Sequence, residues 1–193
     1  ARSHPERVLP PTLVFKSNAD ATVSTDAVVD RLLGRLAPHH HELVLFDINH
    51  YAAKSILLIS DPRALVTRLM GDDRLPFSVT LVTNENPESA AVVARRQAPF
   101  SAEASPDEPL GLAWPAGVIS LSHVALPFPP DDPLYGQRPP DNEDVLFLGQ
   151  MAIQGERGLL VLPSDWLLRL RHNPFYPYLE ERVLAWLAEA GEH

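Results

Sequence analysis

Two ionisable residues of the chain each follow a predicted β-strand directly. Asp20 comes after the short apolar run Thr12–Lys16, and His123 comes after the run Val118–Leu121. In an open α/β sheet, functional groups collect just beyond the carboxyl ends of the strands. A carboxylate beside an imidazole would fix the ring tautomer and stabilise the charged ring, so that the histidine could act as a general base. The structural alternatives are an aspartate of a turn before a helix and a partly buried histidine with hydrogen-bond partners.

Each of the two residues has a rival. His50 lies two residues beyond Ile48, after the strand that is predicted to follow the Asp20 strand and its helix. Asp47, at the end of that same strand, is a second candidate for the acid. The residue types and spacings alone leave both alternatives open.

The segment that carries Asp20 has the pattern of a βαβ unit. The strand Thr12–Lys16 ends in a polar turn, and Ser24 or Thr25 is a suitable N-cap for the helix that follows. Pro38 ends that helix, and Glu42–Ile48 is a second continuous apolar run, typical of a strand covered on both faces. Strand, helix and strand with short links predict two parallel strands. The apolar positions of the helix are Val28, Val29, Leu32, Leu33 and Leu36.

The rest of the chain continues the alternation of strands and helices. Further helices are predicted over Asp61–Met70, Pro87–Arg96 and Pro174–Ala190, further strands over Phe77–Thr83 and Val118–Leu121, and loops over Ala98–Pro115 and the proline-rich Phe128–Pro140. Tyr51–Ser60 fits a strand or a helix, and Asn142–Gln150 with Gly158–Leu162 fits a late strand pair or loops. We therefore expect an α/β fold in residues 1–193, as a single domain or fragment: a partial doubly wound, mostly parallel sheet with flanking helices.

The composition narrows the classes of function. Hydrophobic residues make up 45% and charged residues 21% of the 193 residues, which is typical of a globular protein. The formal net charge of −9 repels phosphate backbones, so we expect no nucleic-acid partner. The longest apolar runs, such as Leu43–Phe46, are far shorter than the roughly 20 residues of a membrane span. The absence of cysteine excludes disulfides and thiol catalysis and leaves the redox compartment open. We expect a cytoplasmic protein.

Three segments of the chain resemble parts of the α/β-hydrolase superfamily. Leu13–Val23 looks like the acid-bearing strand and turn, Ser120–Gly136 resembles the histidine loop of bacterial serine hydrolases, and Asn173–Pro177 with the closing helix fits their C-terminal end. The resemblance implies that Asp20 is the triad acid and His123 the triad base, in the superfamily's order of nucleophile, acid and histidine.

The same resemblance bears on the choice of histidine. The superfamily often places its histidine where His50 lies, but the sequence around His123 matches better. With His123 as the base, the region Tyr51–Pro115 is an elaboration between the acid and the histidine.

The chain has no recognisable nucleophile. A nucleophile elbow needs Gly-x-Ser-x-Gly or a close variant, and no two of the nine glycines stand four residues apart. The resemblance therefore implies the C-terminal half of a serine hydrolase. The intact parent would hydrolyse small carboxylic esters with a serine upstream of Ala1, without a metal or cofactor, and the chain alone would be inactive.

A non-catalytic function is the alternative. The chain would then be an α/β domain that binds a partner or a second copy of itself. A sheet whose first strand has an unpaired edge invites such association, which makes a homo-oligomer the form to expect.

Overall fold

A computed structural model of the chain describes residues 10–20, 23–38, 40–48, 63–118, 120, 124, 126–142, 144–152 and 168–191. The strands are β1 (Thr12–Ser17), β2 (His41–Phe46), β3 (Ser78–Asn84), β4 (Ala91–Gln97), β5 (Glu108–Ala113), β6 (Met151–Ala152) and β7 (Arg169–Leu170). The helices are α1 (Thr25–Ala27), α2 (Arg63–Leu69) and α3 (Tyr176–Gly191), and α1 continues through a π-helical turn (Val28–Leu32) into a 3₁₀ turn (Leu33–Arg35).

The five strands β1 to β5 form one mixed sheet in chain order. β1, β2 and β3 are parallel, β4 is antiparallel to β3, and β5 is antiparallel to β4, so four of the five strands run in one direction. The protein thus belongs to the general α/β class, and the parallel pairing predicted for the first two strands is confirmed. Because the strand order never reverses, the described strands contain no switch point of the doubly wound type. β6 and β7 form a separate two-stranded sheet.

The N-cap of the first helix is the predicted one. The hydroxyl of Ser24 accepts a hydrogen bond from the backbone N–H of Ala27 at 3.3 Å, which satisfies one of the donors left free at a helix start. The last helix also lies where it was predicted. The apolar spacing of Leu184, Trp186 and Leu187 predicts that all three belong to its buried stripe, but Leu184 and Leu187 are exposed and Trp186 is buried.

Two sequence predictions between β3 and the proline-rich loop are wrong. The helix predicted over Pro87–Arg96 is the strand β4, where three consecutive side chains are buried because both faces of the sheet are covered. The loop predicted over Ala98–Pro115 contains β5, in which Pro109 is tolerated because β5 lies at the edge of the sheet. Gly111 in β5 has a φ of 64°, a conformation that favours glycine and interrupts the usual strand pattern.

The prediction of a strand over Val118–Leu121, leading into His123, is also wrong for the residues of that range that the structure describes. Val118 and Ser120 lie outside any strand. The indole N–H of Trp114 donates to the carbonyl oxygen of Val118 at 2.7 Å, so that this oxygen bonds a side chain rather than a neighbouring strand.

The late strand pair has a different location from the one predicted. Residues 142–150 are turns and irregular chain apart from position 143, which is not described, and the pair is formed by β6 and β7. The predictions for Tyr51–Ser60 and Gly158–Leu162 fall outside the described residues.

Apolar side chains cover both faces of the sheet. On one face, β2 and β3 pack against the turns that follow α1 and against α2, through Val29, Leu33, Leu36, Leu43, Leu45, Leu69, Leu75, Phe77, Val79 and Leu81. On the other face they pack against the start of α3 and residue 124, through Val44, Phe46, Ile48, Val82, Val92, Val124 and Phe175. Since all six residues of β2 are buried, this strand is the centre of the core, as its continuous apolar run predicts.

A buried ion pair joins α3 to the sheet. The Glu42 carboxylate of β2 is 1% exposed and accepts hydrogen bonds from Arg182 Nη2 at 2.6 Å and from the Thr80 hydroxyl at 2.7 Å. The Arg182 guanidinium also donates to Glu189 at 2.9 Å and 3.1 Å. Burial alone would lower the pKa of Arg182, but the hydrogen bonds to Glu189 and Glu42 outweigh it and raise that pKa. Arg182 is therefore charged at neutral pH.

Removing the cation of this pair should destabilise the protein strongly. We expect Arg182→Met to lower the free energy of unfolding by about 3–5 kcal/mol, because the buried Glu42 carboxylate loses its closest cation. Arg96, 3.6 Å from Glu42 and 44% exposed, is too distant and too solvated to replace it. Equilibrium unfolding in urea measures the change. Arg74→Met is the matched control, since Arg74 bonds Asp72 on the surface and its side chain is 84% exposed. Equal losses in the two variants would contradict the assigned role of the Glu42 pair.

Candidate functional site at the carboxyl edge of the sheet

The carboxyl ends of the three parallel strands are joined by polar groups. The backbone N–H of Asn18 donates to the carbonyl oxygen of Phe46 at 2.9 Å, and the Asn18 amide donates to the Asp47 carboxylate at 2.9 Å. The backbone N–H of Asp47 in turn donates to Val82 O at 2.8 Å, and the Thr83 hydroxyl donates to Asp47 O at 2.9 Å. The chain therefore leaves β1 and β2 in fixed directions at one edge of the sheet.

Asp20 lies at this edge, three residues after the end of β1. Its backbone N–H donates to Ser17 O at 3.2 Å, and its Oδ1 accepts a hydrogen bond from the backbone N–H of Val23 at 3.3 Å. The carboxylate is 19% exposed, so it borders solvent without being surrounded by it. Asp20 thus follows the end of a strand, as expected. It also bonds the backbone of its own turn, which is the structural alternative to a catalytic role.

Sequence reasoning missed the residue that contacts Asp20 most closely. The ammonium group of Lys16 lies 2.9 Å from Asp20 Oδ2, and it also donates to Asp20 O at 3.0 Å and to Ser17 O at 2.9 Å. The Lys16 side chain is only 5% exposed. The available signal was a lysine inside an apolar strand, four residues before an aspartate.

The two candidate histidines, His123 and His50, lie outside the described residues, but neighbours of both are described. The backbone N–H of Ser120 donates to the carbonyl oxygen of Ile48, at 3.5 Å, just beyond the end of β2. Val124 is fully buried in the core cluster that contains Phe46 and Ile48. The residues that flank position 123 thus pack at the carboxyl end of β2, one strand away from Asp20. Ile48 also precedes His50 by two residues, so the two histidines stay alternatives.

The proline-rich loop after position 123 is anchored to the start of α3. The Asp132 carboxylate accepts the backbone N–H groups of Leu134 and Tyr135 at 2.9 Å and 2.8 Å. The backbone N–H of Asn173 donates to Phe128 O at 2.7 Å. Gly136 fits only as glycine, because a Cβ there would lie 2.5 Å from the carbonyl oxygen of Asp132. The loop is therefore an ordered part of the described structure.

The residues that follow this anchor reach the core beside β2. Phe175 is fully buried, with its ring centroid 5.9 Å from that of Phe46 and 5.7 Å from that of Trp114. The start of α3 therefore packs against β2, and the proline-rich loop is bonded to it through Asn173.

A cavity of about 320 Å³ lies elsewhere, between α3 and strands β3 to β5. Its lining includes Thr80 in the first half of β3, Arg96, Glu108, Tyr178 and Glu181. Burial, and after it the charge of Glu42, raises the pKa of Tyr178, so its hydroxyl stays protonated at neutral pH. None of the lining residues follows the end of a parallel strand, so the cavity is separate from the Asp20 turn.

Among the described residues, histidines and carboxylates nowhere converge in a group of three that could ligate a metal ion. In the same part of the chain, every helix is too short or too polar to cross a membrane.

A second carboxylate directly beside Asp47 should destabilise this edge. We expect Asn18→Asp to lower the free energy of unfolding by about 1–3 kcal/mol at pH 7, because it replaces a donor to Asp47 with a like charge. Close carboxylates raise each other's pKa in the folded state, so the loss should grow as the pH rises above about 4 and shrink below it. Asn86→Asp makes the same change in an exposed turn, where the side-chain oxygen accepts the N–H of Glu88. Equal effects of the two substitutions would contradict the account of the edge.

Comparison of the chain with protein-family models, with curated proteins and with solved structures found no match.

Proposed function

We propose that the chain supplies the acid and the histidine of a serine-type α/β-hydrolase. The intact parent would cleave small carboxylic esters by acyl transfer, with Asp20 as the triad acid and His123 as the base. The observation that carries the proposal is the placement of the Asp20 carboxylate at the carboxyl end of β1. The described neighbours of His123 pack at the end of the adjacent strand β2. Family resemblance at three segments supports the same assignment.

The proposed chemistry gives each group one task. The histidine takes the proton of the serine hydroxyl as the oxygen attacks the ester carbonyl, and then gives that proton to the leaving alcohol. Asp20 stays ionised and stabilises the imidazolium that forms in between. Water, deprotonated by the same histidine, then attacks the acyl-enzyme carbonyl, and the histidine returns the proton to the serine oxygen as the acid is released.

The nucleophile must come from sequence outside these 193 residues. The glycine spacing excludes a Gly-x-Ser-x-Gly elbow within them, and cysteine is absent. In this proposal the described sheet is the C-terminal part of a larger, partial doubly wound sheet. β1 is an edge strand of the described sheet, and the strands of the other half would pair along it.

A non-catalytic binding domain is the second candidate, and the same edge favours it. The side chains from Thr12 to Phe15 in β1 are only partly buried, so a second copy of the chain could add a strand there. Such a domain needs no electrostatic coupling between Asp20 and a histidine. The two candidates therefore differ in a measurable property.

That coupling can be read from the histidine titrations. We expect Asp20→Asn to lower the pKa of His123 by about 1 unit in the 193-residue chain, because a nearby carboxylate favours the charged imidazole. Titration of the imidazole signals by NMR measures this, and His123→Ala and His50→Ala identify the two residues. Asp47→Asn is the matched control, since its amide oxygen can still accept from Asn18. A shift of His50 instead would reassign the base, and a shift of neither would refute the triad.

The missing nucleophile has its own test. We expect the 193-residue chain to leave a short p-nitrophenyl ester unhydrolysed above the background rate, because no serine elbow is present to form the acyl-enzyme. Release of p-nitrophenol is followed by absorbance, with His123→Ala measured in parallel. Turnover that disappears in His123→Ala would show that a nucleophile lies within the chain after all.

A further inference from the structure

We infer that Lys16 is a positioning residue for the candidate acid. Its ammonium group keeps the Asp20 carboxylate ionised and fixed in orientation for the histidine. The inference rests on the function proposed above and adds a residue to it.

The contacts of Lys16 centre on the turn that carries Asp20. Its ammonium lies within 3.0 Å of three oxygens: the Ser17 carbonyl, the Asp20 carbonyl and Asp20 Oδ2. Three acceptors match the three protons of an ammonium group. Lys16 therefore holds both the backbone of the turn and the side chain at its end.

The position of Lys16 in the strand makes its charge unusual. Lys16 is paired with Leu45 of β2, and it shares its face of β1 with Val14, which packs against the apolar cluster on that side. Burying an ammonium costs several kcal/mol unless it is paired and hydrogen-bonded. An apolar side chain would fill the same position without that cost, so a core role alone does not account for a lysine here.

The ion pair leaves Asp20 able to bind a histidine. Oδ2 bonds the Lys16 ammonium and Oδ1 accepts the backbone N–H of Val23. An ionised carboxylate has about four acceptor sites, so these two bonds do not by themselves exclude one from an imidazole N–H. The other described carboxylate of this edge, Asp47, accepts a hydrogen bond from Asn18. Lys16 is a cation that lies directly against the candidate acid.

The absence of cysteine allows a site-specific exchange of the charge. A Lys16→Cys variant, alkylated while unfolded and then refolded, carries the only thiol in the chain. Treatment with 2-bromoethylamine creates an ammonium side chain of nearly the length of lysine. Treatment with 1-bromopropane creates a neutral side chain of the same shape. The two products differ only in the terminal group.

Two NMR readouts separate positioning from simple packing. The first is the midpoint of the Asp20 carboxyl ¹³C titration, which we expect to rise by about 1–3 pH units in the propyl product and to return in the aminoethyl product. The second is the low-field imidazole N–H signal of His123, which reports a hydrogen bond to a carboxylate. We expect the propyl product to lose it and the aminoethyl product to recover it.

The outcomes distinguish this inference from the function on which it rests. If the unmodified chain shows no His123 signal that disappears in Asp20→Asn, the proposed function fails. If that signal depends on Asp20 but both readouts are unchanged in the propyl product, the function stands and the role of Lys16 is refuted. Should the propyl product not refold, Lys16→Gln, which keeps a hydrogen-bond donor without the charge, gives the same two readouts.

Discussion

The parallel pairing of β1 with β2 determines where every polar group of the candidate site lies. Because both strands run in the same direction in register from Thr12 opposite His41 to Ser17 opposite Phe46, their carboxyl ends meet at one edge. The turn with Asp20 leaves the sheet there, and the residues that flank position 123 return to the same place through contacts with Ile48. An antiparallel pair would put these groups at opposite edges, about six residues of strand apart.

The two ends of β2 carry polar groups with different tasks. At its start, Glu42 binds Arg182 and joins the last helix to the sheet across 140 residues of sequence. At its end, Asp47 binds Asn18 and the backbone of β3, which fixes the edge itself. Between them the strand is apolar and fully buried. The long-range ion pair thus lies at the end of β2 opposite to the edge that carries the candidate acid.

Continuous apolar runs predict β1, β2 and β3, and apolar residues at helical spacing predict α3. A buried strand and an amphipathic helix each leave such a pattern in the sequence. The strand β5 could not be predicted in this way. Pro109 and Gly111 are rare inside strands, and β5 forms through its pairing with β4. The location of Asp20 could be predicted from the end of a strand, and its triad role stays a prediction. The contact with Lys16 was missed, because a lysine near a strand end normally points to solvent, and its place in an apolar strand four residues before Asp20 is only a weak signal.

The ion pairs Glu42–Arg182 and Lys16–Asp20 have different roles in the described structure. The Glu42–Arg182 pair connects distant segments, so its contribution to the fold is evident from its sequence separation alone. Lys16 and Asp20 are four residues apart, and their pair closes a loop too short to constrain the topology. A local pair of this kind has little to add to global stability once desolvation is counted. In our proposal it fixes the orientation and the charge of the Asp20 carboxylate at the sheet edge. A triad acid needs both properties to orient a histidine and to stabilise its charged form.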